Sequence, residues 1–391
     1  MNIITCVAPV NIAVIKYWGK RDEKLLLPLN DSISATLSVQ QMHAKTTVMA
    51  SPGFKEDKLW LNGKEETVHN QRLQNCLQEI RRRAKQNEDD KVNGVSNWYA
   101  HICSENNFPT AAGLASSAAG YACLVYALAQ LYNVTGDISG IARQGSGSAC
   151  RSLYGGFVRW HQGSACDGSD SIATQLAPHS HWPEMRILVL VVSDKRKKVS
   201  SSSGMQNSVK TSELLKYRVS HCVPKRTEAI IKAIISKDFD TFADITMKDS
   251  NQFHAVCLDT FPPNVYMNDT SHAIVNLIHA YNSASGKTKV AYTFDAGPNA
   301  CLYLLEHEVP KLVSVICQIF PPENEGVQYL QGIPVEKQAV SQEFIASIGM
   351  EPQQRGLLKY LIHTEVGPGP QILSEPHHHL LTEAGLPKVL V

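Results

Sequence analysis

The chain has 391 residues, and its 43% hydrophobic and 19% charged content is typical of a folded globular protein of about two domains. Lysine and arginine number 37 and aspartate and glutamate 36, so the net charge of +1 gives no support for broad binding to nucleic acid or to a membrane surface. No apolar run approaches the ~18 residues of a membrane-spanning helix, and residues 1–9 lack a signal-peptide pattern. The ten cysteines are scattered without a C-x-x-C pair, which favours reduced, mostly buried thiols in a cytosolic protein over disulfides or a zinc site.

The first hundred residues are predicted to form strands and one helix. A strand is predicted at 2–8, and the residues after it are either partners for an anion or the solvated basic end of a strand or short helix: Asn11, Lys16, Tyr17, Lys20 and Arg21. Alternating apolar residues predict an antiparallel sheet with a hairpin at Asn62-Gly63, from the segments 33–39, 44–50 and 58–62. An amphipathic helix is predicted over 70–86 with a solvated arginine end at 81–83, followed by a mobile loop at 87–95.

Three segments rich in glycine and serine lie at the ends of predicted elements. Residues 107–120 are a small-residue turn that leads into a helix over 118–130, and the other two segments are 145–152 and 200–204. Such a turn presents unpaired backbone N–H groups and the positive end of the helix dipole, which suits a phosphate group. Residues 107–120 alone could be an ordinary N-capped helix start, and any one such segment alone is more simply a flexible loop. Together, and with Arg151 and the basic run 195–198 beside them, they indicate anion binding.

The second half of the chain mixes strands and helices. A buried strand at 185–193 places a domain boundary just before it, which predicts domains at 1–184 and 185–391. Residues 163–183 are predicted to be rich in loops. Helices are predicted at 137–144, 206–218, 224–235, 238–247, 270–283 and 310–319, and strands at 98–103, 157–161, 290–294, 301–305 and 358–366. This order predicts an α+β fold with helices packed on antiparallel sheets.

Few side chains stand in patterns that indicate chemistry by themselves. Asp295 follows a predicted strand and precedes a turn, so it either caps that turn or orients or deprotonates a substrate hydroxyl. The run 377–379 of three histidines favours a surface turn over a metal site, and His254 favours a packed polar role. No Walker A loop, convincing Rossmann glycine motif or hydrolase nucleophile elbow occurs in the sequence.

Five motifs, in order, resemble a known family. Pro109-x-x-x-Gly113-Leu-x-Ser-Ser-Ala118 resembles the ATP-binding signature of the GHMP small-molecule kinase superfamily. Four others resemble the mevalonate diphosphate decarboxylases, close to the animal form: Asn11-Ile-Ala-Val-Ile-Lys-Tyr-Trp-Gly-Lys20, Gly145-Ser-Gly-Ser-Ala-Cys-Arg-Ser-Leu-Tyr-Gly-Gly156, Met247-Lys-Asp-Ser-Asn-Gln-Phe-His254 and Thr293-Phe-Asp-Ala-Gly-Pro-Asn-Ala300. The resemblance implies a GHMP-kinase-like two-domain fold with a deep cleft between the domains.

The resemblance also implies a reaction. Members of this family convert (R)-mevalonate 5-diphosphate and ATP to isopentenyl diphosphate, ADP, phosphate and CO2, in the mevalonate route to isoprenoids and sterols. ATP would act as co-substrate, with Mg²⁺ carried mostly by its phosphates and water rather than by a dedicated protein site. The family further implies a cytosolic homodimer whose ligands are these small molecules, with neither nucleic acid nor membrane as a partner.

Site residues follow from the resemblance, position by position. Asp295 would act as base or orienting group on the 3-hydroxyl, Arg151 would hold the carboxylate, Asn11 would position Arg151, and Ser117 would lie nearest the transferred phosphoryl group. The substrate site would be lined by Tyr17, Trp18, Gly19, Lys20, Arg72, Ser146, Gly147, Ser148, Ala149, Cys150, Arg151, Ser201 and Ser202. The ATP site would comprise Pro109, Ala112, Gly113, Leu114, Ser116 and Ser117.

Three other functions remain alternatives at this stage. Kinases of the same superfamily, such as mevalonate or phosphomevalonate kinase, commonly carry an acid in the segment that corresponds to 145–152. This chain has Arg151 there and its acid at Asp295, which favours the decarboxylase. A non-catalytic phosphometabolite-binding protein would not need that acid and arginine. A nucleic-acid binder using residues 81–83 and 195–198 is disfavoured by the low net charge.

Overall fold

The computed structural model describes residues 2–86, 94–108, 116–195, 198–324 and 328–388. Its first sheet contains six strands in the order β17-β1-β6-β9-β7-β8. Their bounds are β1 Asn2–Pro9, β6 His43–Ser51, β7 Lys58–Leu61, β8 Lys64–Glu66, β9 Tyr99–Asn106 and β17 Gln371–Ile372. The final strand of the chain therefore pairs with the first one, in antiparallel register with Cys6 opposite Ile372.

The remaining strands form two smaller sheets and a two-stranded ribbon. A four-stranded antiparallel sheet has the order β11-β10-β5-β2, from β2 Asn11–Ile15, β5 Ser32–Thr36, β10 Phe157–Trp160 and β11 Ala173–Ala177. A five-stranded sheet has the order β13-β14-β12-β16-β15, from β12 Met185–Val191, β13 Val290–Phe294, β14 Ala300–Leu305, β15 Leu330–Gly332 and β16 Tyr360–Glu365. The ribbon pairs β3 Lys20–Asp22 with β4 Leu27–Pro28.

The helices cover these sheets. Those before residue 200 are α1 Gln71–Ala84, α2 Ser116–Leu131 and α3 Ser139–Gly145, together with a 3₁₀ helix at Gly147–Leu153. Those after it are α4 Ser201–Thr211, α5 Glu213–Tyr217, α6 Val223–Ser236, α7 Phe239–Asp259, α8 Asp269–Ala284, α9 Val309–Ile319 and α10 Gln342–Ile348. Short 3₁₀ turns occur at Val95–Asn97, His179–His181, Glu306–Glu308 and Pro376–His378, and a π-helical turn at Arg218–Cys222 joins α5 to α6.

Two apolar cores hold the helices on the sheets. α2 packs on β1 and β6, and its alanines allow close approach to the first sheet, because Ala119, Ala122 and Ala127 are fully buried. α8 and α9 bury Leu277 and Leu312 against the five-stranded sheet in the second core. The predicted α+β class is confirmed. The division into domains at 1–184 and 185–391 stays a prediction.

Several local predictions were wrong for identifiable reasons. The segment 33–39 belongs to the four-stranded sheet rather than to the sheet of 44–50 and 58–62, and β7 runs parallel to β9 although it pairs antiparallel with β8. Strand pairing depends on distant segments, which alternation within one segment does not identify. Helix α7 continues to Asp259, well beyond the predicted end at 247. The region 163–183 is rich in loops, as predicted, and contains the short strand β11.

The environment of Arg81 differs from the prediction, whereas that of the cysteines agrees with it. Arg81 is not solvated, because it makes two hydrogen bonds to the carboxylate of Asp57, at 2.7 and 3.0 Å. Residues 87–93 of the predicted mobile loop lie outside the described residues. All ten cysteines lie within the described ranges and each has a free thiol, seven of them buried, as predicted.

Candidate active site

One cavity of about 320 Å³ collects most of the predicted site residues. The first half of the chain contributes Asn11, Ala13, Lys16, Tyr17, Trp18, Lys20, Leu26, Arg72, Ser116, Ser117, Ser146, Gly147, Ser148 and Arg151. The second half contributes Ser200, Ser201, Ser202, Met205, Phe253, Asp295 and Ala296. The three segments rich in glycine and serine, which lie far apart in the sequence, therefore meet at one cleft.

Arg151 is held rigidly in the wall of this cavity. It lies in the 3₁₀ helix Gly147–Leu153 and is 2% exposed. Its Nε donates to Ser34 Oγ at 2.8 Å and to Asn11 Oδ1 at 3.2 Å, and its Nη1 donates to Ser32 Oγ. Burial lowers the pKa of Arg151, because desolvation disfavours the charged form. A buried guanidinium held by neutral hydroxyl and amide groups favours an anionic ligand that balances its charge.

Asn11 connects Arg151 to the glycine–serine segment. It begins β2, and its Nδ2 donates to the carbonyl of Ser148 at 3.0 Å and to Ser152 Oγ at 2.8 Å. Its Oδ1 remains to accept from Arg151. Both ends of the amide are thereby occupied, so Asn11 sets the direction of the Arg151 side chain and fixes the loop beside it.

Asp295 forms an ion pair with Lys16 at the floor of the cleft. Lys16 Nζ lies 2.5 Å from Asp295 Oδ1, and the two side chains are 3% and 28% exposed. Lys16 follows β2 and Asp295 follows β13, so each comes directly after a fully buried strand. Lys16 is one of the basic candidates in the sequence, but its pairing with Asp295 was not predicted. A solvated position for Lys16 and Lys20 is wrong, since both are buried, and Lys20 donates to Glu23 at 2.6 Å.

Polar groups line the other side of the cavity. Arg72 in α1 donates to Ser202 Oγ at 3.2 Å, which joins the two halves of the chain across the cleft. Trp18 is anchored by its indole N–H, which donates to Ser208 Oγ at 2.9 Å. The phenolic oxygen of Tyr17 is buried without a hydrogen-bond partner in the part of the chain that the structure describes. A buried, unpaired hydroxyl that lines a cavity is suited to bind a polar ligand there.

Ser116 and Ser117 begin α2 at the boundary with a second cavity. Ser117 Oγ lies 3.3 Å from Ser146 Oγ. The second cavity, of about 360 Å³, has a largely apolar lining that includes Leu59, Leu73, Ile102 and Leu124, and it shares both serines with the first. Four predicted ATP-site residues lie outside the described residues: Pro109, Ala112, Gly113 and Leu114.

Three predicted substrate-site residues do not line the cavity. Ala149 and Cys150 are fully buried behind the glycine–serine segment, where Cys150 packs with Val158 and Trp160. Gly19 forms the turn after β2 with a φ of +92°, and a Cβ atom there would lie 2.6 Å from Leu29. These residues shape the backbone around the cavity rather than its surface.

Comparison with known proteins identifies the family. Residues 8–173 match the family model of the diphosphomevalonate decarboxylase-like N-terminal domain. Residues 187–373 match the family model of the mevalonate 5-diphosphate decarboxylase C-terminal domain. The chain is 56% identical to a diphosphomevalonate decarboxylase of Danio rerio and 54% identical to one of Homo sapiens, over 99% and 98% of this chain and 97% of each relative. The chain belongs to the diphosphomevalonate decarboxylase family. The predicted resemblance to the animal enzymes and the predicted enzyme class are thus confirmed.

Solved structures of this family share the fold. Mevalonate diphosphate decarboxylase from Trypanosoma brucei has a TM-score of 0.86 at 38% identity, covering 97% of this chain and 100% of that chain. MDDEF in complex with MVAPP, AMPPCP and magnesium has a TM-score of 0.73 at 29% identity, covering 96% of this chain and 99% of that chain.

Two further properties concern only the described ranges. They contain no group of three or more His, Cys, Asp or Glu residues arranged to hold a metal ion. No helix among them is long and apolar enough to cross a membrane.

Proposed function

We propose that this chain catalyses the ATP-dependent decarboxylation of (R)-mevalonate 5-diphosphate to isopentenyl diphosphate, with release of ADP, phosphate and CO2, in the mevalonate route to isoprenoids and sterols. The observation that carries the proposal is the convergence of Arg151 and the Lys16–Asp295 pair on one cavity that is also lined by serine hydroxyls. This arrangement offers one group to a carboxylate, one to a hydroxyl and a polar wall to a diphosphate.

The first step is phosphoryl transfer to the substrate. Asp295 orients the 3-hydroxyl and takes its proton while the hydroxyl oxygen forms a bond to the γ-phosphorus of ATP. The bond from that phosphorus to the β–γ bridging oxygen breaks, and ADP leaves. Lys16 fixes the direction of the Asp295 carboxylate through their 2.5 Å contact. Ser117, in the first turn of α2, lies nearest the transferred γ-phosphoryl group in this proposal.

The second step is elimination with decarboxylation. The bond from C3 to the phosphorylated oxygen breaks and phosphate leaves with that electron pair. The electrons of the bond between the carboxylate carbon and C2 then form the double bond between C2 and C3, and CO2 leaves. Arg151 binds the carboxylate with donors of its planar guanidinium and holds it in the required direction, as its own contacts with Asn11, Ser32 and Ser34 hold Arg151.

The diphosphate and ATP occupy the remaining polar surfaces. Tyr17, Lys20, Arg72 and the serines 146, 148, 201 and 202 bind the diphosphate of the substrate. The ATP phosphates lie at the start of α2, and the adenosine enters the neighbouring apolar cavity of about 360 Å³. Mg²⁺ would be carried by the ATP phosphates and water rather than by a dedicated protein site, and it would neutralise phosphate charge during the transfer.

Product analysis tests the function. With mevalonate 5-diphosphate and Mg-ATP, the enzyme is expected to release phosphate and CO2 in equal amounts, one of each for every ADP formed. Radiolabel at the carboxylate measures CO2, and phosphorus NMR distinguishes free phosphate from a phosphate ester. A stable 3-phosphate product without CO2 identifies a kinase, and binding by calorimetry without turnover identifies a non-catalytic binding protein.

The assembly and location rest on the family resemblance. The protein is a homodimer in the cytosol in this proposal. Sedimentation velocity on the purified chain is expected to give one species of twice the 43.1 kDa chain mass. A profile that stays monomeric at micromolar concentration contradicts the dimer, and imaging of the tagged full chain tests the location.

A further inference from the structure

Residues 249–254 of α7, a stretch of less than two helical turns, contact the backbone on both sides of the ion pair in the cleft. Asp249 Oδ2 accepts the N–H of Lys16 at 2.8 Å. The adjacent Ser250 Oγ accepts the N–H of Phe294, the residue before Asp295, at 3.0 Å. Asp249 and Ser250 are 0% and 1% exposed, so neither side chain lines the cavity. Two consecutive residues of one helix therefore hold the chain segments that carry both partners of the ion pair.

The Asp249 carboxylate that accepts the Lys16 N–H is itself bound by two arginines. Arg218 donates to the two Asp249 carboxylate oxygens at 2.7 and 2.8 Å, and its Nη2 also donates to the carbonyl of Lys16 at 3.2 Å. Arg226 donates to Asp249 Oδ1 at 3.0 Å. Burial alone would raise the pKa of Asp249, but the charge and hydrogen bonds of Arg218 lower it below its usual range, so the carboxylate is ionised. The peptide groups of Lys16 are thus fixed at both N–H and C=O.

Two further residues of this stretch, Phe253 and His254, pack beside the segments that carry Lys16 and Asp295. Phe253 lines the cavity and packs on Trp18 with ring centroids 4.8 Å apart. His254 packs edge-on against Phe294 at 6.2 Å. Burial lowers the pKa of His254 to about 3, so its ring is neutral and adds no competing charge beside Lys16 at neutral pH. The turn thus contacts the cleft, the strand end before Asp295 and the segment that carries Lys16.

We propose that residues 249–254 of α7 are a positioning turn, which sets the distance and direction between Lys16 and Asp295 for phosphoryl transfer through Asp249 and Ser250, two side chains that do not line the cavity. The inference rests on the proposed roles of Asp295 and Lys16. The ion pair of Asp249 with Arg218 is fully buried, so its formation costs desolvation free energy. Well-packed apolar residues in its place would often give a fold of equal or greater stability. Here the charged pair fixes the orientation of the backbone peptide groups of Lys16. An error of about 1 Å in the position of a reacting group can lower the rate roughly 10²-fold.

Ser250→Ala tests the hold on Asp295. We expect kcat to fall about tenfold while KM for each substrate stays within about twofold, because the substitution moves a reacting group but removes no ligand contact. Asn282→Ala is the matched control, since Asn282 in α8 accepts the N–H of Val290 at 3.0 Å, at the other end of the same strand. Asn282→Ala is expected to lower the melting temperature at least as much as Ser250→Ala and to leave kcat within about twofold.

Asp249→Asn tests the hold on Lys16. Its matched control is Asp57→Asn, because Asp57 binds Arg81 through both oxygens and accepts the N–H of Ala100 at 2.7 Å, away from the cleft. Asp249→Asn is expected to lower kcat about tenfold or more, and Asp57→Asn to change only stability. If Asp249→Asn does not fold, Ser250→Ala decides alone.

The outcomes separate this inference from the proposed function. Unchanged kcat in Ser250→Ala, or equal losses in Ser250→Ala and Asn282→Ala, overturns the positioning turn. Asp295→Asn is measured in parallel. If Asp295→Asn keeps wild-type turnover, the proposed role of Asp295 fails first. If Asp295→Asn loses turnover while Ser250→Ala keeps it, only the positioning turn is rejected.

Discussion

Arg151 is a buried cation whose side-chain hydrogen-bond partners are all neutral. Its protein partners are the neutral groups Asn11, Ser32 and Ser34, which orient the guanidinium without cancelling its charge. Such a residue costs folding energy that binding of an anion recovers. The sequence could predict Arg151, because an arginine in a small-residue segment is conspicuous. Its serine partners on β5 carry no such signal.

Arg151→Gln is expected to lower turnover at least 10²-fold, because glutamine neither carries the charge nor reaches the carboxylate with two parallel donors. Steady-state kinetics with mevalonate 5-diphosphate measures the effect. Arg159→Gln is the control: Arg159 pairs with Asp31 outside the cavity lining and should leave turnover within about twofold. Unaltered turnover in Arg151→Gln removes Arg151 from the carboxylate role.

Asp295→Asn is expected to depress kcat by about 10³-fold or more with a small change in KM, since asparagine keeps the shape but cannot take the proton. Isothermal calorimetry with the substrate should show affinity close to wild type. A kcat near wild type would reduce Asp295 to a residue of the turn.

Lys16 marks the limit of prediction at the residue scale. The sequence shows a lysine at the end of the apolar run 12–15, which is equally typical of a strand that ends in solvent. Its partner lies 279 positions away, and no local spacing encodes that contact. Asp249 was missed for the same reason, since its role depends on Lys16 and on Arg218 from a different helix.

At the scale of elements, glycine allows two segments to touch where side chains would keep them apart. Gly155 follows the 3₁₀ helix Gly147–Leu153, and a Cβ atom there would lie 2.2 Å from the backbone of Pro368. The neighbouring backbone is bonded to the same region, because Gly156 N–H donates to the carbonyl of Gly367 at 2.9 Å. This junction connects the loop after Arg151 to the segment between β16 and β17.

Gly155→Ala is expected to lower the free energy of unfolding by about 3 kcal/mol, because backbone rather than a flexible side chain must move to admit the methyl group. Gly140→Ala in α3 is the control: a Cβ atom there has no neighbour within 4 Å, and alanine is the better helix former by roughly 0.5–1 kcal/mol. Urea denaturation measures both. Equal stability of the two variants contradicts the close approach.

Helices and isolated strands were predictable because their signals are local. The apolar spacing of Leu73, Leu77 and Ile80 gave α1 to within two residues, and Asn62-Gly63 gave the hairpin between β7 and β8. The sequence predicts an end of α7 at 247, before the polar residues 249–252, whereas the helix continues to Asp259. In the fold, Asp249 and Gln252 accept hydrogen bonds from Arg218 and Arg226, which are distant in sequence. Ser250 accepts the backbone N–H of Phe294.

At the scale of the whole molecule, the end of the chain returns to its beginning. After β17 pairs with β1, Leu380 and Leu381 pack with Met49, Trp60 and Cys103. The backbone N–H of Leu380 donates to Thr47 Oγ1 at 2.9 Å. The last described residues thus cover a face of the first sheet.

Leu381→Ala is expected to cost about 2–5 kcal/mol in the free energy of unfolding, because the side chain is 2% exposed in this cluster. Leu386→Ala is the control, since Leu386 is 52% exposed and should change stability by less than about 0.5 kcal/mol. Chemical denaturation measures both, with kcat near wild type in the folded protein of each. A small effect of Leu381→Ala contradicts the packing of this segment.

The long sequence separation of Lys16 and Asp295 also determines how much time passes between their synthesis on the ribosome. Its two partners are 279 positions apart, and synthesis proceeds at roughly 5–20 residues per second, so between about 14 and 56 seconds separate their appearance. Arg151 precedes Asp295 by 144 positions, so for roughly 7 to 29 seconds at the end of that interval the ribosome has made Arg151 but not the acid proposed to accept the proton. The nascent chain therefore contains the group proposed to bind the substrate carboxylate before it contains the group proposed for catalysis.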